Sequence, residues 1–171
     1  MEEDKKAKEV KEVKESKFVE TIIDFLIGLP LFDDLTAGEL KTVAKHMNFI
    51  EVQKDDIVFT EGDKGNYMCF VVDGMLDVIK QTESHKQVLI SSLARGRSIG
   101  EMSVIDNFPR SATVRARTPS TLLVLTRDAF DQILISYPQL GIKLLKSLTR
   151  LVSMNLRKAS SQLADLLTPL T

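Results

Sequence analysis

The sequence predicts an α+β fold: an antiparallel β jelly-roll barrel flanked by N-terminal helices and a long C-terminal helix. Three observations predict it. Residues 49–126 fall into short β-rich runs punctuated by Gly and Asp, which argues for a compact antiparallel barrel. Residues 18–47 carry apolar side chains on helical spacing. Beyond Pro138, apolar residues recur in steps of three and four as far as about residue 167, too far for anything but one long helix.

The elements follow in order. Residues 1–17 mix Glu and Lys densely, interrupted only by Ala7, Val10 and Val13, and are expected to be a solvated helix or frayed tail. Phe18, Ile22, Phe25 and Leu26 on helical spacing predict a first helix, stopped by Gly28 and Pro30. Thr36-Ala37-Gly38-Glu39 reads as a capping box for a second helix to about residue 47. Leu40, Val43, Ala44 and Met47 turn inward on it, and His46 lies on it, exposed or capping. Strands are expected over 49–52, 57–60, 67–72, 75–80, 87–93, 112–116 and 120–125. Asp73-Gly74 supplies a hairpin turn, Gly62 and Gly65 a second tight bend, and residues 81–86, His85 among them, a polar loop. Thr126-Arg127-Asp128 caps a short helix through residue 135, and Pro138 opens the long one. Its stripe is Leu145, Leu148, Val152, Leu156, Ala159, Leu163 and Leu166, with one extra four-step that would shift a coiled-coil seam. The chain thus divides into a charged helical extension (1–28), a barrel domain with flanking helices (29–136) and a C-terminal helix (137–171).

Composition narrows the function. With 43% hydrophobic and 27% charged residues, the 171-residue chain has the balance of one globular domain with an appendage. A net charge of -1 provides no general attraction for nucleic acid or an anionic membrane. Cys69 is the only cysteine, and Met68, Phe70, Val71 and Val72 around it predict a core thiol. The charged N-terminus and the lack of any run near 18 apolar residues speak against a signal peptide or membrane span, which implies a cytoplasmic protein.

The most informative segments are Gly100-Glu101-Met102-Ser103-Val104 and Pro109-Arg110-Ser111-Ala112-Thr113. Apolar Ile99, Met102, Val104, Ile105 and Val114 bracket Glu101 and Arg110, placing both on a partly buried surface where an unpaired ion is costly. The planar donors of Arg110 can hold two phosphate oxygens at once. A carboxylate at Glu101 only accepts hydrogen bonds, so it suits a free hydroxyl and repels a phosphate. Gly100 permits a sharp turn and close approach, Ser103 keeps that approach uncrowded, and Ser111 can donate its hydroxyl to a phosphate oxygen. A short helical turn over residues 101–105 would aim amides at the anion. A ligand with one phosphodiester, one free 2'-hydroxyl and an aromatic base matches this set.

These segments resemble the phosphate-binding cassette of the cyclic nucleotide-binding domain family, as in catabolite activator proteins, kinase regulatory subunits and cyclic-nucleotide-gated channels. The cassette reads Gly-Glu, eight residues, then Arg and a small pair; here it is Gly100-Glu101, residues 102–109 and Arg110-Ser111-Ala112. Glu61-Gly62-Asp63, Gly65, Phe70-Val71-Val72-Asp73-Gly74 and Val88-Leu89-Ile90 resemble the pattern preceding it. The resemblance spans about residues 29–166. It implies a 3',5'-cyclic nucleotide ligand, cyclic AMP ahead of cyclic GMP, with no further cofactor and no catalysis. Arg110, Ser111, Ala112, Ser103 and Met102 would surround the phosphate, Glu101 and Gly100 the ribose, and Ile90, Val78 and Ser160 the base. Val104 would relay binding to the C-terminal helices, whose movement reaches an unknown effector protein. In the family's dimeric transcription regulators a Thr-Ser pair on the long helix contacts the base; Ala159-Ser160 stands there and departs at its first member. The same helix is expected to join a homodimer.

Three rival readings remain. Glu101 and Arg110 pairing with each other would leave a ligand-independent interaction domain. A metal enzyme on a similar barrel needs paired histidines, whereas His46 and His85 are isolated and no metal ligand set is expected. A transcription regulator would need a DNA-reading module, and residues 167–171 are too few for one unless the chain is a fragment, so direct nucleic-acid contact is not expected.

Overall fold

A computed structural model describes residues 16–84, 86–106 and 108–167. The expectations for residues 1–15 and His85 lie outside the described residues. Helix α1 occupies residues 16–26, and Ile22 and Leu26, both fully buried, set it into the main core. A 3-10 turn at Pro30–Phe32 leads to α2 (Ala37–Ala44), opened by the expected capping box: Glu39 N–H donates to Thr36 Oγ1 at 3.3 Å while the Thr36 amide donates to Glu39 at 2.8 Å. The helix stops short of residue 47. Met47 is buried as expected, but it opens β1 and pairs with Leu125, so the sheet claims it. His46 sits in the turn between, half-buried, its Nδ1 2.8 Å from the Thr42 carbonyl.

The strands are β1 (Met47–Val52), β2 (Ile57–Phe59), β3 (Tyr67–Asp73), β4 (Met75–Gln81), β5 (Gln87–Ala94), β6 (Ser98–Ile99), β7 (Thr113–Ala116) and β8 (Ser120–Thr126). They form two antiparallel four-stranded sheets, ordered β1-β8-β3-β6 and β2-β7-β4-β5. The short β6 has no signal in the sequence; it exists because Ile99 and Ser98 pair with Cys69 and Phe70.

Strands β3 and β8 are apolar on both faces, and the structure explains it. Period-two alternation sends Cys69, Val71 and Leu122 between the sheets, with Leu76, Val78 and Val114 of the opposite sheet. Met68, Phe70, Leu123 and Leu125 point the other way, into a second core with Ile22, Leu26, Phe32, Val43, Phe130, Ile133, Leu144 and Leu148 of the helical layer. The first sheet is therefore sandwiched, as its continuous apolar runs require.

Thr126 caps α3 (Arg127–Ser136), and Pro138 opens α4 (Pro138–Leu166), about 43 Å long at 1.5 Å per residue. The two helices approach closely at Gly141, where a Cβ would meet Leu134 Cδ2 at 2.8 Å. Only Leu140, Gly141, Leu144, Ser147 and Leu148 of α4 are buried, and every residue from 154 to 167 is exposed. Leu148 thus leaves the expected stripe for the protein's own core. With Ile142 and Thr149 in its place, the outward line becomes Ile142, Leu145, Thr149, Val152, Leu156, Ala159, Leu163 and Leu166, exposed throughout but for half-buried Val152. Its steps alternate three and four without a break, so the extra four-step disappears.

Candidate functional site

Arg110 is 4% exposed, and two loops hold it. Its amide donates to the Asp63 carbonyl at 2.8 Å, and its carbonyl accepts from Gly62 N–H at 2.9 Å, so the bend at 61–65 grips the arginine backbone. The guanidinium lies 3.9 Å from the Phe59 ring centroid and 4.6 Å from that of Tyr67, and Nη1 donates to Ser103 Oγ at 3.0 Å. Two glycines make the slot. A Cβ at Gly65 would lie 2.7 Å from Arg110 Nε, and one at Gly100, where φ is +81°, would collide with Arg110 Nη1. Among the described residues, no ion pair includes Arg110. Burial disfavours its charged form, yet a guanidinium does not give up its proton. A buried cation without a counter-charge results.

Glu101 opens the 3-10 turn Glu101–Val104 and is 8% exposed. Burial pushes its carboxyl above the usual carboxylate range, while a hydrogen bond from its own backbone amide, then one from Asn155 Nδ2 to Oε1 at 2.9 Å and the charge of Arg97, oppose that shift. Glu101 and Arg110 share one cavity but form no ion pair. The enclosed volume is about 110 Å³, lined by Phe59, Val78, Ile99 to Ser103, Asp106 and Phe108 to Ala112. Among the described residues, no backbone carbonyl accepts from the amides of Ser111 or Ala112, which stand free beside the guanidinium.

Other side chains brace the cassette. Lys80 Nζ donates to the Ser111 carbonyl at 2.7 Å and pairs with Glu61. Arg127, the first residue of α3, donates Nε to the Ser103 carbonyl at 2.9 Å and reaches the Asp106 carbonyl with Nη2. Val104 is 3% exposed within the helical-side core that also contains Ile133, Leu140 and Leu144. The cassette is thus tied to α3 by a guanidinium and to the helical layer by a core side chain.

The structure brings together Gly100, Glu101, Met102, Ser103, Arg110, Ser111, Ala112 and Val78 around this cavity. It does not bring Ile90 or Ser160 there. Ile90, 56% exposed on β5, is displaced where the β4–β5 register shifts at Val78/Ile79, and Ser160 is exposed on α4. From α4 it is Asn155 that arrives. Sequence reasoning missed Asn155, and it missed the aromatic walls Phe59 and Tyr67. Only the need to cover a buried guanidinium with rings could have pointed to the last two.

A two-sheet β-roll that sets a buried acid and a buried arginine around one small cavity has the form of a ligand-binding domain. The sequence model of the family described as cyclic nucleotide-binding domain matches residues 49–137, and the chain belongs to that family. Among similar proteins, a cAMP-dependent protein kinase regulatory subunit of Mycosarcoma maydis is 32% identical over 54% of this chain and 17% of its own length. Another from Yarrowia lipolytica is 31% identical over 64% of this chain and 28% of its own, so the chain spans under a third of either relative. A solved cyclic nucleotide-binding domain from Methylobacillus flagellatus is 33% identical with a TM-score of 0.79, covering 91% of this chain and 88% of that one. The regulatory domain of Toxoplasma gondii PKA, solved with cAMP, is 28% identical with a TM-score of 0.62, covering 67% of this chain and 44% of that one.

Proposed function

We propose that this chain binds a 3',5'-cyclic nucleotide, cyclic AMP ahead of cyclic GMP, and passes the binding event through α3 and α4 to a separate effector protein. The observation that carries this reading is Arg110: a 4%-exposed cation facing a cavity, with no carboxylate partner among the described residues. An anionic ligand supplies the missing charge. The reading of Glu101 and Arg110 as a mutual ion pair has no support in this geometry.

In this proposal the phosphate sits on Arg110, Ser111 and Ala112, with Ser103 and Met102 beside it, and the ribose hydroxyl on Glu101 next to Gly100. The enclosed 110 Å³ is well below the roughly 300 Å³ at the small end of ligand pockets, so it takes the sugar phosphate. The base then lies at the mouth beside Val78, against Phe108 and Met102, which are 73% and 50% exposed. Ile90 and Ser160 reach it only if β5 and α4 close over the ligand. The cyclic AMP preference rests on the two relatives named above, cAMP-dependent protein kinase regulatory subunits; a relative named as a cGMP-dependent protein kinase, 31% identical, is why cyclic GMP stays in the test.

The output is proposed to run through residues 137–171, with 29–136 as the binding unit and Val104 as relay. The unbroken outward seam of α4 supports a homodimer, because a 3.5-residue repeat keeps one line facing a partner helix. The cytoplasm is the proposed compartment, where a lone buried thiol such as Cys69 is ordinary. Calorimetry with cyclic AMP, cyclic GMP and adenosine tests the binding step. Heat from the cyclic nucleotides and none from adenosine is expected, and no binding of either cyclic nucleotide refutes the proposal.

A further inference from the structure

We propose that Asn155, reaching from α4 to Glu101, is a positioning residue of the site: it fixes one oxygen of that carboxylate and so orients the other for the ribose hydroxyl. This rests on the nucleotide reading above.

Asn155 is an exposed residue in a stretch of α4 whose neighbours from 154 to 167 are all exposed, and nothing about its packing calls for an amide. Its one polar contact among the described residues runs inward, from Nδ2 to Glu101 Oε1 at 2.9 Å. The other polar ties of α4 are of a different kind. Lys143 pairs with Glu39 at 2.8 Å and Arg150 with Asp34 at 3.5 Å, both solvent-screened pairs to the N-terminal layer. Among the described residues, only Asn155 ties α4 to the cassette through a side-chain hydrogen bond, and it does so at a carboxylate that lines the cavity.

The chemistry of an amide suits that task. A lysine there would neutralise Glu101, and a carboxylate would repel it. An asparagine donates one hydrogen bond to Oε1 and leaves Oε2 free to accept another. A buried carboxyl also tends to take up a proton, and a protonated acid competes with the hydroxyl as a donor. Burial pushes Glu101 in that direction; the hydrogen bond from its own backbone amide opposes the shift first, and the Asn155 hydrogen bond adds to that opposition. The other charged groups around Glu101 are Arg97, which also favours the ionised form, and Arg110 and Asp106, which line the same cavity.

The test uses Asn155→Leu, with Asn155→Gln as the conservative rescue, in the full chain. Without ligand, carbon-13 NMR follows the Glu101 carboxyl through a pH titration. The Leu variant should titrate at higher pH than wild type and the Gln variant between them; superimposed curves overturn the proposal. With ligand, calorimetry compares cyclic AMP with 2'-deoxy cyclic AMP. Asn155→Leu should weaken cyclic AMP about tenfold and leave the 2'-deoxy ligand unchanged, because only the former uses Glu101. Equal weakening of both would mark Asn155 as merely structural and overturn the proposal. Wild-type protein that binds neither nucleotide overturns the nucleotide reading itself, and the positioning role with it.

Discussion

Arg110→Met separates binding from folding, and the two readouts are expected to move in opposite directions. The guanidinium is 4% exposed, covered by the rings of Phe59 and Tyr67, and hydrogen-bonded to Ser103 alone among the described side chains. In the ligand complex, the substitution leaves a buried phosphate without its counter-charge, a loss of about 3 to 5 kcal/mol. At 1.4 kcal/mol per factor of ten, affinity falls roughly a hundredfold to a few thousandfold. In the empty protein, Arg110 gains two ring contacts of about 0.5 to 2 kcal/mol each and one hydrogen bond of about 1 kcal/mol. Against these stands a desolvation cost of several kcal/mol for a buried ion. Methionine keeps an apolar stem between the same rings and carries no charge. Thermal stability without ligand should therefore hold or rise, at about 2 to 4 °C per kcal/mol for a chain of this size. Calorimetric titration and a ligand-free melt together make the assay. Unchanged affinity would refute the anchor role. A fall of more than about 5 °C in the melting temperature would show that the ring contacts and hydrogen bond outweigh desolvation, and the argument that Arg110 is kept at a cost to the empty protein would fail.

Other predictions follow from the same geometry. Affinity for cyclic AMP should fall as the solution is acidified through the raised pKa of Glu101, and Glu101→Gln should bind more weakly and lose that pH dependence. The sign for folding is the reverse. Because the folded state raises the Glu101 pKa above its ordinary 4.5, the stability it contributes is fully present below that value and lost as pH rises through the raised one. Denaturant melts of wild type minus Glu101→Gln across that window should show the decline. Gly65→Ala places a Cβ 2.7 Å from both Arg110 Nε and Ser103 Cβ, so it should cost binding at least tenfold with far-UV circular dichroism unchanged. Leu156→Lys, at a 69%-exposed seam position, should leave cyclic AMP affinity near wild type and turn a dimer into a monomer by sedimentation. A wild-type monomer at high concentration counts against the seam.

What the sequence disclosed depended on whether a residue's role was local. The cassette was legible because its acid, glycine and arginine stand at fixed spacing within one short stretch, and their geometry is set by the turn they form. Every strand but β6 was legible to within a residue or two, since period-two burial on β3 and β8 must appear as continuous apolar runs when both faces are covered. Periodicity could not tell which of two adjacent lines on α4 faces home. Leu148 and Thr149 lie one step apart, and only the position of Leu144 and Leu140 in the core assigns Leu148 inward. Ile90 lies outside the cavity for a related reason: a register shift at Val78/Ile79 moves the β5 side chains off the alternation that a regular ladder would give. Asn155 was invisible because its partner is 54 positions away, and a polar residue on an exposed helix face carries no mark of what it reaches.

The strongest argument for a ligand is that the fold keeps two opposite charges in one cavity and denies them each other. Glu101 and Arg110 are both nine-tenths buried, and each loses hydration it would have in water. Direct pairing would recover part of that loss, yet the backbone prevents it. Gly65 and Gly100 wall the guanidinium into a slot between two rings, and Asn155 holds one oxygen of the carboxylate on the side of α4. A domain that served only as a scaffold would gain stability by letting the two ions meet or by replacing them with apolar side chains. An arrangement that does neither keeps around one small cavity a cation with no carboxylate partner among the described residues and a carboxylate whose side-chain donor is a neutral amide. In the proposed function that joint cost is offset by a ligand that brings an anion to Arg110 and a hydroxyl to Glu101.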